Sequence, residues 1–477
     1  MFWRGVFGYL PVQALQALVG FGGVYVFTRL LSPEQYGQYA LALSSAALLH
    51  AGLMSWLEAA MERFHIGQVE RGEAASHLAT LYLAFAVVAG LGLLLTALAL
   101  LVVPAEPSLK TAIVGAVAAA TVRSALRLVQ QRRKAEGHVR IYALSDMACT
   151  GGGFALGVLL ASAGQGAVAP FLGAGGAAAL LLLIVLPQEI GRSAAGRFQA
   201  QRLKRYAAYG LPISAALLLA VVYSSTNRFM IANFIDHASV GAYHAAQGLT
   251  SRALDVVFVW LGLAGAPSLI AALERGGREQ MRAAARVQFE VMALVAIPAA
   301  VGLSLVSRPL AELMIGEALR PAAVSIIPWL TVTAVLAGFK AYYFDQAFTL
   351  AGRPGFMIWS SAATAGLNLL LGLMLLPRLG LPGVVAATAF SMAAGLGVSY
   401  GWGLRIMPLP VPWSTLWRCG AAAAGMALIL LQLPDAGGLP ELLLKTGAGI
   451  LAYGVLVILT DAAGARRRAF GLLSSRS

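Results

Sequence analysis

Cysteine is almost missing from this chain: Cys149 and Cys419 are the only two among 477 residues. Each lies within or at the edge of an apolar stretch, which excludes a disulfide framework and a thiolate metal centre. Charge is scarce too, at 11% of residues. There is no HExxH, no Walker loop and no nucleophile elbow, so no catalytic residue, metal or cofactor is expected, and no ATPase of the chain's own. Gly151-Gly152-Gly153 is not a phosphate loop, because it sits inside an apolar run with no strand before it.

What the chain has instead is apolar length. Hydrophobic residues make up 59%, and the mean hydropathy of +0.78 is above what a water-soluble fold of this size shows. Runs of about 20 apolar residues, enough to cross roughly 30 Å of hydrocarbon, occur about fourteen times. The expectation is an all-α polytopic membrane protein. The first run follows Met1-Phe2-Trp3-Arg4 and passes straight into Thr28-Arg29-Leu30-Leu31 without a small-residue cleavage pattern, so it reads as a first span and not as a signal peptide.

A formal charge of +14 invites a nucleic-acid reading, but position argues against it. With the N-terminus in the cytoplasm, twenty-three of the 34 basic residues fall inside, in segments such as Arg132-Arg133-Lys134, Arg192 to Arg205, Arg275 to Arg286 and Arg466-Arg467-Arg468. Six fall outside: Arg29, Lys110, Arg308, Arg320, Arg378 and Lys445. The positive-inside rule thus predicts two cytoplasmic termini and accounts for the basicity without nucleic acid.

Sequence echoes predict the domain plan. Gly8-Tyr9-Leu10-Pro11 is echoed by Tyr209-Gly210-Leu211-Pro212, and Ser32-Pro33-Glu34-Gln35-Tyr36-Gly37 by Asp236-His237-Ala238-Ser239-Val240-Gly241. Ser32 and Asp236 suit helix N-caps, and Pro33 suits a first turn, where no amide bond is lost. A third echo joins Arg133 to His138 with Thr349 to Pro354. The expected plan is an N-terminal six-helix lobe at 1–190, a basic cytoplasmic loop at 191–205, a second six-helix lobe at 206–405, and two extra helices with a basic tail at 406–477. An even number of spans per repeat puts the pseudo-twofold along the membrane normal. Gly- and Ala-rich runs such as Gly173 to Gly176 and Ala421 to Gly425 are expected to pack helices closely.

Five cations lie inside these spans: Arg123, Arg127, Arg228, Arg252 and Lys340. Each costs roughly 2.5 to 3.5 kcal/mol near a helix centre, so such residues mark polar cavities and binding sites. They are read as substrate-binding cations, and the substrate as an anion. Arg252 and Asp255 share a helix face, either as an anion site with a coupling carboxylate or as a neutralised pair. Lys340 has no carboxylate at i+3 or i+4, and Asp345 at i+5 belongs to another face, so Lys340 is expected to stand unpaired. Arg123 and Arg127 form a stripe toward the cytoplasm, with Arg127 either lining it or snorkelling to the interface. Arg228, beside Asn227, either snorkels outward or faces a cavity. Gln13, Gln16, His50 and Asn368 suit sugar hydroxyls or interhelical hydrogen bonds equally. Asp146 and Glu58 join Asp255 as candidate carboxylates for proton or sodium coupling. Trp3, Tyr36, Trp329, Trp413 and Trp417 read as interfacial anchors.

The segment Thr28-Arg29-Leu30-Leu31-Ser32-Pro33-Glu34-Gln35-Tyr36-Gly37-Gln38-Tyr39-Ala40 resembles the polysaccharide transporter, or O-antigen flippase, family of the MOP superfamily, and its echo recurs from Asn233 to Tyr243. The resemblance extends in span count and lobe division over the whole chain. It implies a non-enzymatic flippase of lipopolysaccharide and surface-polysaccharide synthesis in a bacterial inner membrane. An undecaprenyl-diphosphate-linked glycan would move from the cytoplasmic to the outer leaflet by alternating access through a cationic cavity. Membrane lipids, a coupling H+ or Na+, and a glycan polymerase or glycosyltransferases are the implied partners. The family often carries Asp-Arg where this chain has Asn227-Arg228, which removes a charge partner.

Three rivals remain. A multidrug and toxin extrusion (MATE-like) cation antiporter should place carboxylates in its cavity, whereas the deep charges here lean basic. A membrane enzyme of glycan assembly needs a large outer loop, and the widest outside gap, about 306 to 321, is short. A scaffold leaves the deep cations without a role.

Overall fold

The structure, a computed structural model, describes the backbone of residues 2–464 and the side chains of residues 11–464 apart from 263, 264 and 463. Trp3, Arg4 and the tail arginines Arg466, Arg467, Arg468 and Arg476 lie outside the described side chains. Every regular element among the described residues is helical. The chain divides into two compact units between His244 and Ala245.

The first unit runs through α1 (Phe2–Leu30), α2 (Pro33–Leu49), α3 (Ser55–Glu70), α4 (Ala74–Val102), α5 (Pro107–Ala135), α6 (Val139–Ser162), α7 (Ala169–Ser193), α8 (Ala200–Phe234) and the start of α9 (His237–Leu305). The second holds the rest of α9, then α10 (Ser307–Met314), α11 (Arg320–Phe339), α12 (Gln346–Leu350), α13 (Gly355–Leu379), α14 (Leu381–Ile406), α15 (Trp413–Leu430) and α16 (Gly438–Thr460). Two π-helical turns interrupt otherwise continuous spans, His50–Met54 between α2 and α3 and Lys340–Phe344 between α11 and α12.

Among the described residues, twelve stretches are long and apolar enough to cross a membrane. One of them, α9, has 69 residues and breaks at Gly277, whose φ of 68° lies outside the helical region. Taking its two arms separately and adding the 18-residue α15 gives the fourteen crossings expected from the sequence. Along α4, Leu83, Val87, Leu91, Leu94, Leu98 and Leu101 stand exposed at three- and four-residue spacing, a stripe suited to lipid and not to water.

Local chemistry sets the helix starts. Ser32 Oγ accepts the Gln35 amide at 3.2 Å while Gln35 Oε1 accepts the Ser32 amide at 3.1 Å, a reciprocal capping box with Pro33 in the first turn. At the echoed position Asp236 Oδ1 accepts the Ser239 amide at 2.6 Å. Small residues bring α6 and α7 together as expected: a β-carbon on Gly173 would overlap the backbone of Gly157, and one on Gly153 would press on Ala174. Trp329, Trp413 and Trp417 are exposed, as interfacial anchors should be. Tyr36 is not an anchor. It is 1% exposed and its ring packs against Tyr39 and His244, because the capping box turns it toward the protein.

Candidate functional site

In the first unit the polar residues of five helices converge. Arg123 and Arg127 sit one turn apart on α5. Arg123 donates to Cys149 Sγ at 2.6 Å, to Thr150 Oγ1 at 3.2 Å and to Asp146 Oδ1 at 3.3 Å, all on α6. Asp146 Oδ2 in turn accepts Gln16 Nε2 of α1 at 2.9 Å. Arg127 donates to His50 Nε2 at 2.9 Å, and the same nitrogen lies 2.9 Å from Glu58 Oε1 of α3. Sequence spacing alone does not bring His50 and Glu58 together, since eight residues at ~100° each leave them about 80° apart. The π turn at His50–Met54 absorbs one residue, and the two side chains return to one face. Arg127 is therefore held inside by an imidazole, and the interfacial snorkel is not what the structure has. Gln13 stays exposed with no hydrogen bond among the described residues.

At another level of this unit, Arg228 donates to Ser44 Oγ at 2.8 Å, so it turns inward to α2. Its neighbour Asn227 donates to the Tyr243 hydroxyl at 2.9 Å. Asn227 thus works as a neutral hydrogen-bond donor. The two echoed segments meet here: His244 packs on Tyr36 and Tyr39, and a β-carbon on Gly37 would overlap the His237 carbonyl.

A network at the last turn of α5 was not legible in the sequence. Arg132, only 3% exposed, grips Glu189 of α7 with two hydrogen bonds of 3.1 and 2.6 Å and Glu136 with a third of 2.5 Å. Tyr82 of α4 donates to Glu189 at 2.6 Å, and His65 of α3 meets Glu136 at 3.0 Å. Partial burial pushes the Glu136 carboxyl up, but the donors from His65 and Arg132 outweigh it and hold its pKa below the ordinary value. Arg132 had read as one of a run of loop cations, and the signal for it was Glu189, a lone acid closing an apolar helix.

In the second unit one expectation is overturned. Lys340 is not unpaired: its Nζ donates to Asp345 Oδ2 at 2.8 Å, both side chains buried, while Ser399 of α14 donates to Asp345 Oδ1 at 2.6 Å. The reason is again a π turn, Lys340–Phe344, which turns the about 140° of an i, i+5 separation into about 40°. Lys340 is thereby neutralised and is withdrawn as an anion ligand. Among the described residues Arg252 and Asp255 close no ion pair; there Arg252 bonds only the carbonyl of Gly248 on its own helix, at 3.2 Å, and Asp255 is exposed. Asn368 is buried and accepts Ser391 Oγ of α14 at 3.4 Å, the interhelical role.

Beside Arg252 in sequence, Ala253 and Leu254 help wall an apolar cavity of about 500 Å³ between the two arms of α9 and helices α15 and α16. Lys445, read from the sequence as an outside loop cation, lines this cavity and is held by Asp435 and Glu441 at 2.6 Å each. No cluster of three or more metal-ligating side chains occurs among the described residues.

The family model described as "Polysaccharide biosynthesis protein" matches residues 26–324, well over half of the chain. The chain belongs to this family. No curated protein matches it in sequence. Among solved structures it is similar to the lipid II flippase MurJ in an inward closed conformation, at 12% identity and a TM-score of 0.77 over 95% of this chain and 98% of that one. An inward-facing multidrug resistance MATE transporter of the MOP superfamily matches at 17% identity and a TM-score of 0.66, covering 83% of this chain and 94% of the other. An outward-facing MATE transporter matches at 16% identity and 0.54, over 84% and 94%. This member of the polysaccharide biosynthesis family is thus a multi-pass membrane protein with the fold of MOP-superfamily flippases and transporters.

Proposed function

We propose that the protein is a flippase that carries a polyprenyl-diphosphate-linked oligosaccharide from the cytoplasmic to the outer leaflet of a bacterial inner membrane by alternating access, with both termini in the cytoplasm. The observation that carries the reading is Arg252, a guanidinium inside a membrane span whose one hydrogen bond among the described residues goes to a backbone carbonyl of its own helix. A cation so placed is costly unless it serves an ion. A diphosphate has the converse problem, since an unpaired anion is very costly in hydrocarbon. Guanidinium matches phosphate oxygens in a bidentate way, and the two costs offset one another. Arg123, Arg127 and Arg228 each have a neutral partner, Cys149, His50 and Ser44 in turn, with Asp146 beside Arg123 alone, so a phosphate competes with neutral holders there. Membership of a polysaccharide biosynthesis family supports the glycan. A glycan polymerase and glycosyltransferases are the partners this reading implies.

A second reading, a MATE-like exporter of organic cations, draws on Asp255, an exposed carboxylate on a membrane helix that forms no ion pair among the described residues. The test is translocation in proteoliposomes of a lipid-diphosphate sugar and, separately, of a cationic dye. Lipid-sugar movement that falls at least tenfold in Arg252→Ala, the loss of one charge-assisted contact of ~1.4 kcal/mol or more, supports the flippase. Dye movement that depends on Asp255, with lipid-sugar left in place, would overturn it.

A further inference from the structure

His50 Nε2 is asked to do two incompatible things. Arg127 approaches it at 2.9 Å and has only protons to give, so it needs the nitrogen's lone pair. Glu58 Oε1 approaches the same atom at 2.9 Å and, as a carboxylate, has only lone pairs, so it needs an N–H there. One imidazole nitrogen supplies one or the other. The two contacts therefore need different hydrogen placements on the ring: the Nδ1–H tautomer serves Arg127, and the Nε2–H tautomer or the imidazolium serves Glu58, the imidazolium being the form whose charge pairs with the carboxylate.

Among the described residues, no further charged side chain hydrogen-bonds or pairs with His50. The π turn that carries His50 packs against α2, α3, α4, α5 and α8. From α3 the group facing His50 is Glu58, and from α5 it is Arg127, with Arg123 one turn further and occupied by Asp146, Thr150 and Cys149. From α8 the turn meets Ser214, which donates to the Ala51 carbonyl, and Leu218, which lies against Gly52; from α4 it meets Gly92, which lies against Leu53. The side chains of His50 and Glu58 are 22% and 12% exposed, open enough for a proton to arrive and sheltered enough for its charge to be felt. Two guanidiniums and two carboxylates balance in this cluster, so a proton on His50 leaves it with one net positive charge.

We infer that Glu58, His50 and Arg127 form a proton-binding site, in which one proton taken from water by His50 Nε2 moves the imidazole from Arg127 to Glu58 and releases the Arg127 guanidinium. The proton occupies the lone pair that Arg127 had used; the N–H···N hydrogen bond breaks and an imidazolium–carboxylate pair replaces it. Arg127 then faces a cationic ring, is repelled by it, and is available to an anion beside Arg123. Proton binding and anion binding at this site favour each other, by the reciprocity that any such linkage obeys. That the anion is a lipid diphosphate rests on the flippase reading; the proton site does not.

The test uses the full chain in lipid nanodiscs with ¹⁵N-labelled arginine and histidine, the Arg127 and His50 signals being assigned by their loss in Arg127→Gln and His50→Gln. Between about pH 8 and pH 5, the range in which histidine titrates, the Arg127 side-chain signal should pass from imidazole-bound to free. In His50→Gln that change should vanish, and in Glu58→Gln, which keeps the shape of the glutamate and removes the charge that stabilises the imidazolium, it should move to lower pH. A signal from Arg127 that is the same at both ends of the range overturns the inference, as does a change that persists in His50→Gln. This measurement contains no substrate, so its failure is separate from a failure of lipid-sugar translocation. In the proteoliposome assay, the wild-type rate should depend on pH and the residual rate of His50→Gln should not; the same dependence in both would also overturn it.

Discussion

Lys340 and Asp345 form a buried 2.8 Å ion pair across five residues of a single span, a separation that an unbroken α-helix would place on different faces. The π turn between them makes the pair, and Ser399 fills the second carboxylate oxygen. Removing either charge alone leaves the other buried and unmatched, which costs about 3–5 kcal/mol. Asp345→Ala and Lys340→Ala should each lower the thermal unfolding temperature in detergent strongly. The double variant Lys340→Met/Asp345→Leu should recover most of the loss. Equal destabilisation by single and double variants would show that the pair does not act as a unit.

Close contact between α6 and α7 rests on Gly173, where an added methyl group meets backbone and has no flexible side chain to push aside. Gly173→Ala is expected to destabilise by about 1–3 kcal/mol, the usual cost of overpacking. Gly152, with nothing within 4 Å of its β position, is the control, and Gly152→Ala should be neutral or slightly favourable. Thermal unfolding of the two purified variants side by side gives the comparison.

Acid should loosen the network around Arg132. The Glu136 carboxyl is held below its ordinary pKa of 4.5 in the folded protein, so the unfolded chain takes up a proton first as pH falls. The stabilisation is then fully present above about pH 4.5 and is lost as pH drops through the lower folded value. Glu136→Gln should therefore be less stable than wild type at neutral pH and converge with it in acid. Curves that stay parallel from neutral pH into acid would mean that Glu136 adds nothing to this dependence.

The start of α2 depends on Ser32, whose hydroxyl satisfies an otherwise free amide. Ser32→Ala should cost about 1 kcal/mol and Ser32→Asp much less, since aspartate also caps. Hydrogen exchange at the Gln35 amide reads this locally: faster exchange in the alanine variant alone is the expected result.

Sequence by itself determined the class of the molecule. Helical spans of the right length, the glycines at helix contacts and the Ser32 capping box are all local features, fixed by apolar length, by the absence of a side chain or by a three-residue spacing. The site was legible only as a set of residues. Gln16, His50, Glu58, Arg123, Arg127 and Asp146 were all named from the chain, but their pairing was not.

Tertiary structure decided the pairing, for two physical reasons. A helix period of ~3.6 residues projects side chains correctly only while the helix is regular, and a single residue absorbed by a π turn rotates everything after it by about 100°. That is how Lys340 found Asp345 and His50 found Glu58. Arg132 with Glu189, and Arg123 with Asp146, lie on different helices. Which of these meet depends on how whole helices pack, and no local pattern of residues encodes that.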